Sequence, residues 1–278
     1  MAASRDGNVE VAKPLAPRFD YRRVVIPLVL GILVIAGWEV IVRALAIPRF
    51  VLPPPSMIVE SLVTDFPSLV MSLVSTLKVT LIAFALALVV GVGFAILFVQ
   101  SPLVETALFP YAVMLQVTPI VSIAPLIVIW VGFDNVDRAV LILAGIVALF
   151  PILSNTTLGL KSADHNLHDL MDLYGASRWQ RLVELQLPAA TPYLLGGMKI
   201  SGGLALIGAV VAEFVAGSGT ATGLAWRIVE SANRLNIPRL FAALILLSAT
   251  GVVIFLALTA LERALLQRWH ESALKRGS

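Results

Sequence analysis

The sequence has 278 residues, 59% of them hydrophobic and 13% charged, with a formal net charge of +3. A soluble domain is nearer a quarter charged and could not hide this much apolar surface, so lipid must solvate part of the chain. The basic residues are scattered between apolar runs, which argues against a nucleic-acid partner, and the absence of cysteine excludes disulfides, thiolate metal sites and cysteine nucleophiles.

Residues 1–23 are polar, contain Pro14 and Pro17, and read as an N-terminal tail; residues 24–278 read as one membrane domain. Arg18, Arg22 and Arg23 precede the first apolar run, and no small-residue cleavage site follows it. That run is expected to be a retained helix and not a signal peptide. A helix needs roughly 20 apolar residues to cross the hydrocarbon core. Six segments qualify, at about 24–46, 77–99, 103–131, 139–158, 189–214 and 240–261. Glu39 and Arg43 alone interrupt the first. Leu52-Pro53-Pro54-Pro55-Ser56 then stops the chain, with Ser56 a candidate N-cap for a short interfacial helix at about 57–66. Lys78 can snorkel from the outer end of the second span. The third carries Pro110, Pro119 and Pro125, which predict a kinked or broken helix. Its irregular backbone must face protein or a cavity, because lipid cannot pair with free carbonyls.

The polar turn 132–138 precedes the fourth span, and a long polar stretch at 161–188 precedes the fifth. With the N-terminus inside, the inner parts hold Arg5, Lys13, Arg18, Arg22, Arg23, Lys161, Arg178, Arg181, Arg263, Arg268, Lys275 and Arg276. The outer parts hold Arg49, Arg138, Arg227, Arg234 and Arg239. Twelve against five predicts both termini and the 161–188 stretch on the cytoplasmic side.

Within 161–188, Leu167, Leu170, Met171, Leu173 and Tyr174 recur near helical spacing, and Gly175 stops that helix as a C′ glycine. Ser177 can cap a second helix with Trp179, Leu182, Val183 and Leu185 on its apolar face, ended by Pro188. The product is a helix-turn-helix hairpin shaped to dock into a groove on a partner. His165 and His168 lack a third ligand nearby and read as polar loop residues.

This segment resembles the coupling motif of ATP-binding-cassette (ABC) importer permeases. That motif has an acidic residue and two small ones, a glycine four positions on, nine residues, an aliphatic residue, one more, Leu and Pro. Asp169 takes the acidic place, and Gly175, Leu185, Leu187 and Pro188 fit the spacing, while Leu170 and Met171 depart from the small pair. Further similarity lies in Leu52-Pro53-Pro54-Pro55-Ser56, Thr118-Pro119, Ala124-Pro125-Leu126, Trp130-Val131-Gly132, Phe150-Pro151, Asn155-Thr156 with Gly159, Ala212-Glu213, Leu261-Glu262-Arg263 and Arg268-Trp269. Gly223-Leu224-Ala225-Trp226 stands where the family has Gly-Leu-Gly-Tyr. The chain is similar to permeases for nitrate, sulfonates, taurine and related small solutes.

The resemblance implies an all-α, type I importer permease with six spans in the bacterial inner membrane. Two copies, often identical, would form the pore, two ATPase subunits would grip the coupling segment, and a substrate-binding protein would deliver cargo. ATP and Mg would sit on the ATPase, with no cofactor on this chain. Gly159-Leu160-Lys161-Ser162 lacks the glycines of a phosphate loop, and no catalytic constellation is evident. The coupling set is Asp169, Gly175, Ala176, Ser177, Arg178, Arg181, Glu184, Leu185 and Pro188, where Arg178, Arg181 and Glu184 are either ATPase contacts or solvated charges.

Candidate pathway residues are Gln116, Thr118, Pro119, Ser122, Asn155, Lys199 and Glu213. The polar ones bond substrate or stitch helices, the latter worth around 1 kcal/mol each. Lys199 attracts an anion or snorkels inward. Glu213 lines the pathway or braces the outer loop, since an ionisable group at this depth needs pairing or water. The glycines at 196, 197, 202, 203 and 208 suit contact with a second permease. A transporter driven by an ion gradient is the alternative, and it would carry more ionisable groups inside its spans and no docking hairpin.

Overall fold

The computed structural model describes residues 22–216 and 223–266. Most of the polar tail, the stretch 217–222, and Arg268-Trp269 lie outside the described residues. Those described form helices and connecting turns without a strand. In chain order the helices are α1 (Arg22–Ala44), α2 (Pro55–Thr64), α3 (Phe66–Gln100), α4 (Pro102–Val117), α5 (Ile120–Val131), α6 (Val136–Lys161), α7 (His165–Leu173), α8 (Arg178–Gln180), α9 (Leu187–Ala216), α10 (Leu224–Asn233) and α11 (Ile237–Leu266).

Among the described residues five helices are long and apolar enough to cross a membrane, and α4 with α5, bent by 103° at their junction, makes a sixth where the pair is one span. The proline-rich third span is therefore broken, as expected, at Thr118-Pro119. Pro119 brings no N–H, and the Thr118 hydroxyl donates to the Met114 carbonyl at 2.6 Å, pairing an oxygen at the end of α4.

The second span is longer than its hydropathy suggested. Helix α3 has 35 residues, because Ser68, Ser72, Thr76 and Thr80, four apart, put their hydroxyls on one inward stripe. Below them Ala83, Ala87, Gly91 and Ala95 are also buried. These small side chains let α6 come close: a Cβ on Gly91 would lie 2.8 Å from Ile152 Cγ2.

Helices α6 and α9 run antiparallel through the centre. Gly208 sits against the Ala144 backbone and Gly197 against the Pro151 carbonyl, where an added Cβ would lie 2.9 Å from each. Gly159 presses on Tyr193 and Ala190, so the string beside Lys161 is a packing site. Gly202 packs against Leu258 of α11, whereas Gly196 and Gly203 have nothing within 4 Å. Three of the five glycines assigned to a second permease are thus used within the chain.

Buried apolar residues mark two ends. Ile58, Leu69, Leu224, Ala242 and Ala243 cluster at the far end. Ala95, Phe98, Leu153, Leu160, Leu182 and Ala190 cluster beneath the hairpin.

Two local expectations are corrected. Helix α2 begins at Pro55, and Ser56 does not cap it. Ser56 instead donates from its backbone N to Glu39 Oε2 at 3.0 Å and from its hydroxyl to Glu39 Oε1 at 2.8 Å. Arg43 completes the pairing of Glu39, so the two charges inside the first span meet each other and the elbow. Nor does Pro188 end the second hairpin helix. Residues Arg181–Gln186 form a π-helical segment that leads straight into α9. Proline removes an N–H and crowds the carbonyl four residues back. The wider π turn accommodates it, with Leu187 N donating to the Leu182 carbonyl.

Candidate functional site

The hairpin is closed by backbone chemistry at its tip. Gly175 has φ +67°, a left-handed conformation natural to glycine. Gly175 N donates to the Asp172 carbonyl at 3.0 Å and Ala176 N to the Met171 carbonyl at 2.9 Å, the paired closure of a Schellman turn. Ser177 then opens α8: its hydroxyl accepts from Gln180 N at 3.3 Å, while Gln180 Oε1 accepts from Ser177 N at 2.8 Å. This reciprocal capping box uses Gln180, which the sequence reading missed although Ser-x-x-Gln is its signature. At the other end Asp164 caps α7 by accepting from Asn166 N at 2.9 Å. His165 and His168 lie in α7, not in a loop.

One side of the hairpin is anchored and the other is bare. Leu182 and Leu185 are buried, three residues apart, and Leu182 belongs to the cluster beneath the hairpin. Arg181 Nη1 reaches Asp172 Oδ1 at 2.7 Å and ties the π segment to α7. Lys161 Nζ binds both Glu105 oxygens at 2.6 and 2.7 Å, fixing the end of α6 to the start of α4. Outward, Leu173, Tyr174 and Trp179 are 85%, 83% and 69% exposed, a contiguous apolar tip with no covering within the described chain. Asp169, Ser177, Arg178 and Glu184 are exposed, Ala176 and Pro188 half-buried. The expected apolar face of the second helix therefore splits, with Leu182 and Leu185 inward and Trp179 and Val183 outward.

The pathway candidates do not form one cluster. Gln116, Thr118, Pro119 and Ser122 gather at the break between α4 and α5, where Gln116, Pro119 and Ser122 are exposed. Asn155 Nδ2 donates to the Pro151 carbonyl at 2.8 Å beside Gly197. Lys199 is neither bare nor snorkelling, but pairs with Glu262 of α11 at 2.6 Å.

Glu213 is buried at the far end as a brace. It accepts from the Thr76 hydroxyl at 2.7 Å and from Ala225 N at 3.0 Å, and Thr76 Oγ1 accepts from Leu224 N at 2.8 Å. A carboxylate and a hydroxyl thus satisfy the first donors of α10 and complement its dipole. A Cβ on Gly223 would collide with the Glu213 carboxyl, so glycine is required there by space. Sequence reasoning missed Thr76, whose partners are 137 and 148 residues away. Arg227 Nε donates to Ser72 at 2.9 Å and Nη1 to Glu230 at 2.8 Å, and Arg239 donates to Ser68 at 3.2 Å. The bond from Arg227, helped by its charge and those of Arg234 and Arg239, holds the Glu230 carboxyl below the ordinary value of 4.5 against the opposing effect of burial.

Comparison with known proteins follows this geometry. Residues 87–268 match the family described as binding-protein-dependent transport system inner membrane component. The chain is 31% identical to a formylaminopyrimidine transport permease of Halalkalibacterium halodurans, over 86% of this chain and 94% of the relative. It is 32% identical to a putative aliphatic sulfonates transport permease of Bacillus subtilis, over 94% and 92%. In fold it is similar to the crystal structure of an amino acid ABC transporter with histidines, at TM-score 0.60 and 18% identity, covering 75% of this chain and 97% of that one.

Proposed function

The chain belongs to the binding-protein-dependent transport system inner membrane components, the permeases of ABC importers, and from that premise we propose that it works as a homodimer driven through its hairpin by two separate ATPase chains. The family assignment replaces the alternative of a transporter driven by an ion gradient. The chain is a multi-pass inner-membrane transport subunit. In this reading residues 24–278 are the permease domain, residues 1–23 a cytoplasmic tail, and the hairpin and both termini lie in the cytoplasm. ATP and Mg bind the ATPase, and this chain binds no cofactor.

The observation that carries the reading is the hairpin itself: a tip locked by Gly175 and Ser177, anchored by Leu182, Leu185 and Arg181, presents Leu173, Tyr174 and Trp179 with nothing over them. Such a rigid apolar knob fits a groove on a second protein. Asp169, Arg178 and Glu184 flank it for polar contact. Gln116, Thr118, Pro119 and Ser122 support a pathway along the broken helix, because irregular backbone at membrane depth has to face water or protein, and Gln116, Pro119 and Ser122 are exposed in the single chain. The second copy covers that face. The cargo, brought by a binding protein from outside, is a small molecule of the kind named for the relatives, an organosulfonate or a compact nitrogen heterocycle.

Purification of the permease with its ATPase tests the reading. The wild type is expected to hold two ATPases per permease dimer and to support uptake only with ATP and the binding protein. The double substitution Leu173→Asp with Tyr174→Asp is expected to release the ATPase while leaving the spans inserted. Uptake that survives ATP depletion and stops when the ion gradient is dissipated overturns the reading.

A further inference from the structure

A cleft of about 340 Å³ opens between the end of α3 and the hairpin. It is lined by Val99 and Gln100 of α3, His168 of α7, Arg178 of α8, and Arg181 and Gln186 of the π segment. Two guanidinium groups, an imidazole and two carboxamides face one space, and no carboxylate is among the described lining residues. Arg178 has no ion-pair partner among the described residues. Arg181 uses Nη1 on Asp172, but its buried Nε has no hydrogen-bond partner. The cleft is therefore rich in donors, with more positive charge than Asp172 neutralises.

We propose that this cleft binds the phosphate of an anionic phospholipid from the inner leaflet. Guanidinium and carboxamide groups are the donors that suit the oxygens of a phosphodiester. The position selects the source of that phosphate. Gln100 is the last residue of a 35-residue apolar helix, and so sits where hydrocarbon gives way to headgroups. On either side of it Leu97 and Leu103 are 53% and 80% exposed, which provides apolar surface for acyl chains beside the charged cleft. Basic pockets between spans on the cytoplasmic side suit anionic headgroups. The proposal rests on the transport reading only for placing the hairpin on the cytoplasmic side.

The test counts lipid on the assembled permease–ATPase complex by native mass spectrometry, with phosphatidylglycerol and phosphatidylcholine offered in equal amounts. The wild type is expected to retain phosphatidylglycerol selectively. Gln100→Glu, of equal size, is expected to lower that retention about fivefold, and Gln100→Lys to raise it; opposite responses to opposite charges do not arise from misfolding. Equal retention by both variants and wild type overturns the proposal. Displacement of the lipid by millimolar glycerol phosphate assigns the cleft to a soluble phosphate and overturns the lipid. Loss of the ATPase in Gln100→Glu with unchanged lipid assigns it to an acidic side chain of that partner, which also overturns the lipid. Lipid is counted independently of uptake, so failure here is distinguishable from failure of the transport reading.

Discussion

Thr76 donates to one buried group and accepts from another, and both lie on segments distant in sequence. Thr76→Val keeps the shape and removes both bonds, leaving a buried carboxylate and a buried N–H short of partners. Each such group costs about 1–3 kcal/mol, so the melting temperature of the purified protein is expected to fall, while Thr76→Ser remains close to wild type. Gly175 is a different case. A Cβ there meets open space, so substitution acts only through φ, at about 1–2 kcal/mol for an ordinary residue. Gly175→Val is expected to weaken ATPase copurification and Gly175→Asn to preserve much of it, since asparagine tolerates the left-handed region. Glu230 gives a prediction about pH. Its carboxyl sits below 4.5 in the folded chain, so its contribution is fully present above that value and is lost as pH falls through the folded pKa. In a variant that keeps Trp226 and has the other four tryptophans replaced by phenylalanine, fluorescence is expected to report loosening of α10 as pH drops below 4.5, and Glu230→Gln is expected to abolish that acid step. Gly175 and Ser177 were legible in the sequence because their chemistry is local. Thr76 was not, and Gly223 was seen only as part of a motif without its reason, because each is defined by contact with Glu213.

Among the elements, the five long apolar helices and the bent pair α4–α5 were legible from hydropathy, and the break within that pair followed from its prolines. The boundaries were not. Ser68, Ser72 and Thr76 look like the end of an apolar run, yet their four-residue spacing continues the helix with the hydroxyls turned inward. Pro188 likewise reads as a stop, and only the π turns before it allow the hairpin to continue into α9. Those turns set the azimuth of the hairpin. Deleting exposed Val183 is expected to return the segment to α geometry and turn α7 and α8 by about 100°. Membrane insertion should persist while ATPase stimulation by the binding protein is lost, which reconstituted complexes can measure.

For the whole molecule, the coupling motif pointed to the family, whereas the use of Gly197, Gly202 and Gly208 inside the chain was hidden until α6 and α11 were placed beside α9. Topology is open to direct measurement, because the natural chain has no cysteine. A cysteine at Tyr174 is expected to react with impermeant maleimide only in inverted vesicles, and one at Leu235, exposed beyond α10, only in intact cells. The continuous helical run Arg178–Val215, 38 residues long, extends roughly 55 Å, well beyond the hydrocarbon thickness. It begins at the hairpin, the proposed motor attachment, and ends beside Glu213, with Gly197 and Gly208 wedged against α6 between them. The arrangement is a stiff beam resting on a fulcrum: on the proposed reading, motors that swing the hairpin end tilt the opposite end in the same instant, and the cap on α10 travels with it. On that reading, energy released in one compartment reshapes the mouth facing the other with no relay of loops.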